Sequence, residues 1–192
     1  LIDVEIEDEA WTRALPDAEA LVVAAAEAAL RAGTNGLPPE GEAAERRRGL
    51  KPAAPVHGNP LSPFGTAPPE GERLEFNLVV LLTDDAAVQD LNARFRGKDK
   101  PTNVLSFPAA ENPERHLGDV ALGYGVCARE ADEQGKRLAH HLQHLVVHGV
   151  LHLLGFDHMS DDEAEAMEGL ERLVMAGLGA PDPYDAGGRD HV

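Results

Sequence analysis

Nine histidines are spread over the 192 residues, and three of them, His148, His152 and His158, stand in a pattern that can hold a metal ion. His148 and His152 lie four apart in an apolar run. On a helix they share one face, with Cβ atoms about 6 Å apart. His144 cannot complete the set with them, because it sits eight residues before His152, about 12 Å along a helix axis. Gly155 can take the left-handed conformation that ends a helix, and the resulting turn brings His158 back toward the first two rings. Three neutral imidazoles leave a fourth position open, which is the mark of a catalytic rather than a structural site. An ion so held polarises carbonyl or phosphoryl oxygens and acidifies water, so hydrolysis is the expected reaction class. A His-x-x-x-His pair alone is equally explained by packed or solvated histidines. The glycine between the second and third histidine makes the pattern specific.

The substrate is either a peptide or a phosphodiester. The ligand spacing matches the zinc-peptidase pattern His-Glu-x-x-His-x-x-Gly-x-x-His, but Gly149 occupies the position of the general-base glutamate. A peptidase would lack its proton acceptor. Arg94, Arg96, Lys98 and Lys100 form the dense basic cluster outside the proline-rich segment described below. The planar guanidinium of Arg96 suits bidentate contact with phosphate and can offset charge developing at phosphorus, while Arg94, Lys98 and Lys100 can guide a nucleic-acid backbone. The plainer reading makes all four exposed cations at a helix C-terminus, stabilised by its dipole. Asp119 and Asp157 are candidates to accept the free ring N–H of a ligating histidine, although Asp157 is equally suited to capping the turn. His140, His141 and His144 lie upstream on or near the ligand face, where packing or solvation accounts for them.

The elements that must position these groups follow from pattern. Ile2, Val4 and Ile6 alternate with Asp3, Glu5 and Glu7 as a half-buried strand, and residues 18–31 read as a helix with Pro16 near its first turn and Gly33 past its end. From 33 to 71, prolines and glycines without apolar period indicate a flexible insertion; Arg46, Arg47 and Arg48 within it read as a solvated charge run. A strand follows from Leu74 to Thr83, then a helix started by Thr83, Asp84 and Asp85 that turns Val88, Leu91 and Phe95 inward. Short strands are expected at 102–107 and 118–123, a helix at 126–134 broken by Gly135, and the histidine helix at 136–154. Ser160 and Glu163 match a capping box for a last helix at 161–176, and residues 179–192 read as a disordered tail. The order β-α-insertion-β-α-β-β-α-α-α implies an α/β (α+β) domain of about four strands over residues 1–178.

The formal charge of −17 and pI near 4.8 give no global attraction to nucleic acid or anionic membrane, so a polyanion must be met by a local patch. The lone Cys127 excludes an internal disulfide and a cysteine-based structural zinc, and indicates a reducing compartment. No apolar run is long enough for a bilayer span, and the acidic N-terminal alternation is unlike a signal peptide, so a cytoplasmic location is expected.

The run His148-Gly149-Val150-Leu151-His152-Leu153-Leu154-Gly155-Phe156-Asp157-His158, taken with three further motifs, resembles the YbeY family of bacterial endoribonucleases and rRNA maturation factors. Those motifs are Leu91-Asn92-x-x-Phe95-Arg96, Pro101-Thr102-Asn103-Val104-Leu105-Ser106-Phe107-Pro108 and Leu117-Gly118-Asp119-Val120. The likeness covers about residues 1–32 and 74–178. It implies a mixed sheet of about four strands with helices around it and the metal in a cleft. It also implies a single-strand-directed endoribonuclease acting in 16S rRNA 3′-end maturation and ribosome quality control. On this resemblance His148, His152 and His158 become the ligands of one Zn2+ per chain, and Arg96, with His148, falls among the residues implicated in activity. The partners implied are precursor 16S rRNA and the small ribosomal subunit, with ribosomal proteins or an assembly GTPase as further candidates; neither DNA nor membrane is expected. A ribosome-assembly factor with a structural metal is the reading from another functional class, and a zinc metalloprotease is a third.

Overall fold

The computed structural model describes residues 1–35, 76–110, 113 and 115–185. The expected insertion beyond residue 35, the start of the second strand at Leu74 and the tail beyond residue 185 lie outside the described residues. Within them the chain runs β1 (Ile2–Ile6), α1 (Glu9–Ala14), α2 (Ala18–Asn35), β2 (Asn77–Thr83), α3 (Asp85–Arg96), β3 (Val104–Pro108), β4 (His116–Gly123), α4 (Tyr124–Glu133), α5 (Leu138–Leu153) and α6 (Asp161–Gly177).

The four strands form one mixed sheet, as expected, and its order is β1-β2-β4-β3. β1, β2 and β4 are parallel, and β3 pairs antiparallel with β4 at the edge. Strand alternation gives the sheet two different faces. Val80, Val120 and Leu122 join the main core together with Val22, Ala25, Ala26 and Ala29 of α2 and Val146, Val147 and Val150 of α5. On the alternate positions, Leu105 and Ala121 are buried outside that core, as is Val88 of α3. α3 therefore covers the opposite face from α5.

α5 is the central helix, and two glycines set how closely its neighbours approach. A Cβ on Gly149 would lie 2.8 Å from Val120 Cγ1 and 3.2 Å from Ser106 Oγ, so the helix rests directly on β4 and β3. The Ser106 hydroxyl donates to the Gly149 carbonyl at 3.2 Å, tying the edge strand to the helix. α2 continues through Gly33 to Asn35 rather than ending before it. That glycine serves packing: a Cβ there would meet Leu154 Cδ1 at 2.4 Å and Leu151 Cδ2 at 3.3 Å, at the end of α5.

Three local features depart from the sequence expectation. α1 is too short to show a period, but Asp8 caps it, and its buried Trp11 donates from Nε1 to the Thr83 carbonyl at 3.1 Å. Phe95 is 48% exposed instead of turned inward. Val88 and Asn92 are the buried positions of α3, and Phe95 in its last turn packs edge-to-face with Phe107, with centroids 5.1 Å apart, under the Arg94 guanidinium. The C-terminal segment is packed as far as it is described. Gly179 (φ 73) ends α6, the Ala180 N–H donates back to the Met175 carbonyl at 3.0 Å, and Ala180 is buried.

Candidate metal centre

The last turn of α5 builds the site. Gly155 adopts φ 90, its N–H donates to the His152 carbonyl, and the Phe156 N–H donates to the Leu151 carbonyl, both at 3.0 Å. This is a Schellman closure, which satisfies carbonyls that the helix end would otherwise leave unpaired. The closure also turns the Phe156 carbonyl onto His152, whose Nδ1 meets it at 3.0 Å. Chain reversal thus orients one ring and delivers another. His158 follows two residues later, its centroid 5.1 Å from that of His152 and 5.6 Å from that of His148.

The three histidines named from the sequence come together. Each offers a ring nitrogen within 4.8 Å of the others, and the His148 and His152 Nε2 atoms stand 3.0 Å apart. Ligands about 2.1 Å from one ion in tetrahedral array lie about 3.4 Å from each other. The donor set fits a divalent ion after small side-chain adjustments, and imidazole nitrogens suit zinc, copper, iron or nickel.

The group that orients His148 was missed in the sequence. Glu171 of α6 is fully buried, and its Oε1 lies 2.8 Å from His148 Nδ1. Its Oε2 lies 2.8 Å from His144 Nε2 and accepts a short hydrogen bond from the Tyr184 hydroxyl. Burial alone would raise the Glu171 carboxyl, but the bonds from His144, His148 and Tyr184 outweigh it and hold the group down at about 2. An ionised carboxylate here keeps the proton on Nδ1 of His148 and directs the Nε2 lone pair toward the shared centre. His152 is held below the usual imidazole range by burial, then by the charge of neighbouring His148, against the opposing Phe156 carbonyl. Both shifts favour the protonation states that ligation needs.

The carboxylates proposed from sequence do other work. Asp119 Oδ1 lies 3.1 Å from His116 Nε2, and Asp157 Oδ1 accepts the His158 backbone N–H at 2.8 Å. Asp157 therefore shapes the turn, and its charge opposes the depression of His152. The missing signal for Glu171 was present: on α6 it stands with Met167, Val174 and Met175 on the buried stripe, where a lone acid demands a partner.

The basic cluster is exposed at the end of α3 and in the turn after it. Arg94 pairs with Asp90 at 3.2 Å, and Arg96 closes the helix before Gly97 (φ 66). Buried Asn92 pins the following turn, donating from Nδ2 to the Lys100 carbonyl at 2.8 Å. α3 and α5 lie on opposite faces of the sheet, and edge strand β3 touches both. Ser106 of that strand contacts α5, and its neighbour Phe107 contacts Phe95.

Comparisons with known proteins bear on the family and the fold. A family description for Endoribonuclease YbeY matches residues 66–179. An Azorhizobium caulinodans protein named Endoribonuclease YbeY is 46% identical over 187 residues, covering 95% of this chain and 95% of that protein. A Rhodopseudomonas palustris protein of the same name is 57% identical over 122 residues, covering 60% of this chain and 63% of that protein. The solution structure of TM1509 from Thermotoga maritima matches with a TM-score of 0.50 at 18% identity over 100% of both chains. That last likeness speaks for the fold alone.

Proposed function

The chain belongs to the YbeY endoribonuclease family, and from that premise we propose that it is a single-strand-specific, zinc-dependent endoribonuclease acting in 16S rRNA 3′-end maturation and ribosome quality control. The observation that carries this reading is the convergence of His148, His152 and His158, with the first two rings already oriented through Nδ1. When bound, a divalent ion supplies Lewis acidity toward a phosphoryl oxygen and makes nearby water more acidic. The rest of the chemistry rests on side chains. Glu171 and the Phe156 carbonyl present the two Nε2 atoms inward. Arg96 meets a phosphate of the bound strand and offsets charge as it develops, while Arg94, Lys98 and Lys100 hold the flanking backbone. A strand that touches both the cations and the histidines bends around β3, a course open to flexible single-stranded RNA.

Peptide hydrolysis is disfavoured by Gly149, whose Cβ position points into the sheet at Val120. A glutamate there would be wedged between layers. The substrate in this reading is precursor 16S rRNA on the small ribosomal subunit, with ribosomal proteins or an assembly GTPase as companions, in the cytoplasm. No helix among the described residues is long and apolar enough to cross a membrane.

The test uses a single-stranded precursor-rRNA fragment, controlled zinc, and Arg96→Ala and His148→Ala purified free of contaminating nuclease. Both variants should lose cleavage, Arg96→Ala by about 100-fold or more if it stabilises developing charge as an oxyanion-type donor does. Casein should remain uncut. Cleavage undiminished in both variants would overturn the enzyme reading in favour of an assembly factor.

A further inference from the structure

Residues 180–185 leave α6, fold back and are fastened at several unrelated points. Arg172 Nε pairs with Asp182 Oδ2 at 3.2 Å, and the Arg172 guanidinium lies 4.7 Å from the centroid of the Tyr184 ring. Lys136 Nζ donates to the Pro183 carbonyl at 2.6 Å, which anchors the segment to the stretch before α5. Asp182 Oδ1 accepts the Tyr184 N–H at 2.9 Å, a local turn that sets the direction of the phenol. The ring then meets His144 edge-on at 5.5 Å. All of these attachments are peripheral. The polar atom the segment sends inward is the Tyr184 hydroxyl, and it reaches the fully buried carboxylate of Glu171.

We propose that Tyr184 is a positioning residue of the metal centre, fixing the Glu171 carboxylate so that its other oxygen orients His148. The proposal rests on the metal-centre reading and extends it to a residue beyond the segment matched by the family description, which ends at 179. Glu171 Oε1 serves His148, so the carboxylate plane is set by what binds Oε2. His144 supplies one donor to that oxygen and Tyr184 the other. A buried carboxylate with both lone-pair regions of Oε2 engaged cannot rotate toward other partners. With one donor removed, the group gains freedom to turn away from Nδ1, and the ligand it backs loses its fixed tautomer.

Tyr184→Phe keeps the ring, its contact with His144 and its stacking under Arg172, while deleting the donor. Zinc affinity is read by competition with a chromophoric chelator, beside urea unfolding of the metal-free protein and the same change in a Glu171→Gln background. The expected result is about 10-fold weaker zinc binding in Tyr184→Phe, at the lower end for loss of an outer partner. No further loss should follow once Glu171 is already Gln. Lys136→Met, which frees the segment without touching the phenol, should weaken zinc in the same direction by a smaller factor. It carries the test should Tyr184→Phe fail to fold. Zinc affinity unchanged in the folded variant, or a full second loss in the Glu171→Gln background, overturns the proposal while His148→Ala still weakens binding by about 1000-fold. If wild type and His148→Ala take up zinc alike, the metal-centre reading itself falls and takes this role with it.

Discussion

The helical pair of histidines and the third histidine are held by different means. His148 and His152 sit on a buried helix, each with its Nδ1 engaged, by the Glu171 carboxylate and by the Phe156 carbonyl. His158 lies exposed on the turn beyond, and among the described residues no hydrogen bond fixes its ring. The pair is oriented when the fold forms, whereas the third ring is only brought near. Most of the discrimination for a metal should therefore reside in α5 and α6, with the turn completing the set and retaining freedom to adjust.

The sharpest way to break this contrast is to remove ligands singly. Sharing the binding free energy of a structural zinc site among its ligands assigns a few kcal/mol to each. On that scale His148→Ala should weaken zinc binding by about 1000-fold and His158→Ala by about 100-fold. Chelator competition measures both, and equal losses would show that the two halves are alike after all. A smaller effect separates the glycines that serve them. Gly149→Ala forces a methyl against Val120 and should cost about 1–3 kcal/mol in urea unfolding, displacing the helix that carries the pair. Gly155→Ala must hold φ 90, with open space around its Cβ, and should cost about 1–2 kcal/mol.

Smallest is a pH effect on the metal-free protein. His141 and His152, both on α5, are pushed below the ordinary imidazole value of 6.5 chiefly by burial. The unfolded chain then takes up protons that the folded chain refuses. Stability from these groups is fully present above about pH 6.5 and is lost as pH falls through their folded values. Urea midpoints in chelator should decline from pH 7.5 to 5.5, and His152→Gln should flatten that decline. An unchanged slope would mean that the helical pair is less enclosed than the geometry indicates.

What the sequence revealed, and what it hid, follows the range of each interaction. The i, i+4 pair, the positive-φ glycine at 155 and the Ser160–Glu163 capping box are local, so their spacing alone located the three histidines that converge and the helices around them. The strands were legible for the same reason, through alternation. Glu171 lies 23 residues from His148, and its partnership depends on how α6 crosses α5. Tyr184 was hidden more deeply, since Pro181, Asp182 and Pro183 resemble any unstructured end until Arg172 and Lys136 are seen to hold them. Phe95 was misplaced because helical spacing marks an apolar stripe without showing where the sheet beneath it stops.

The contact between Gly149 and the sheet has a consequence for how this scaffold can change over evolutionary time. Acquiring a peptidase-type base would take more than one codon, because the layer spacing itself would have to widen beneath the new side chain. Two motifs that differ by one letter are thus separated here by the thickness of a packed interface.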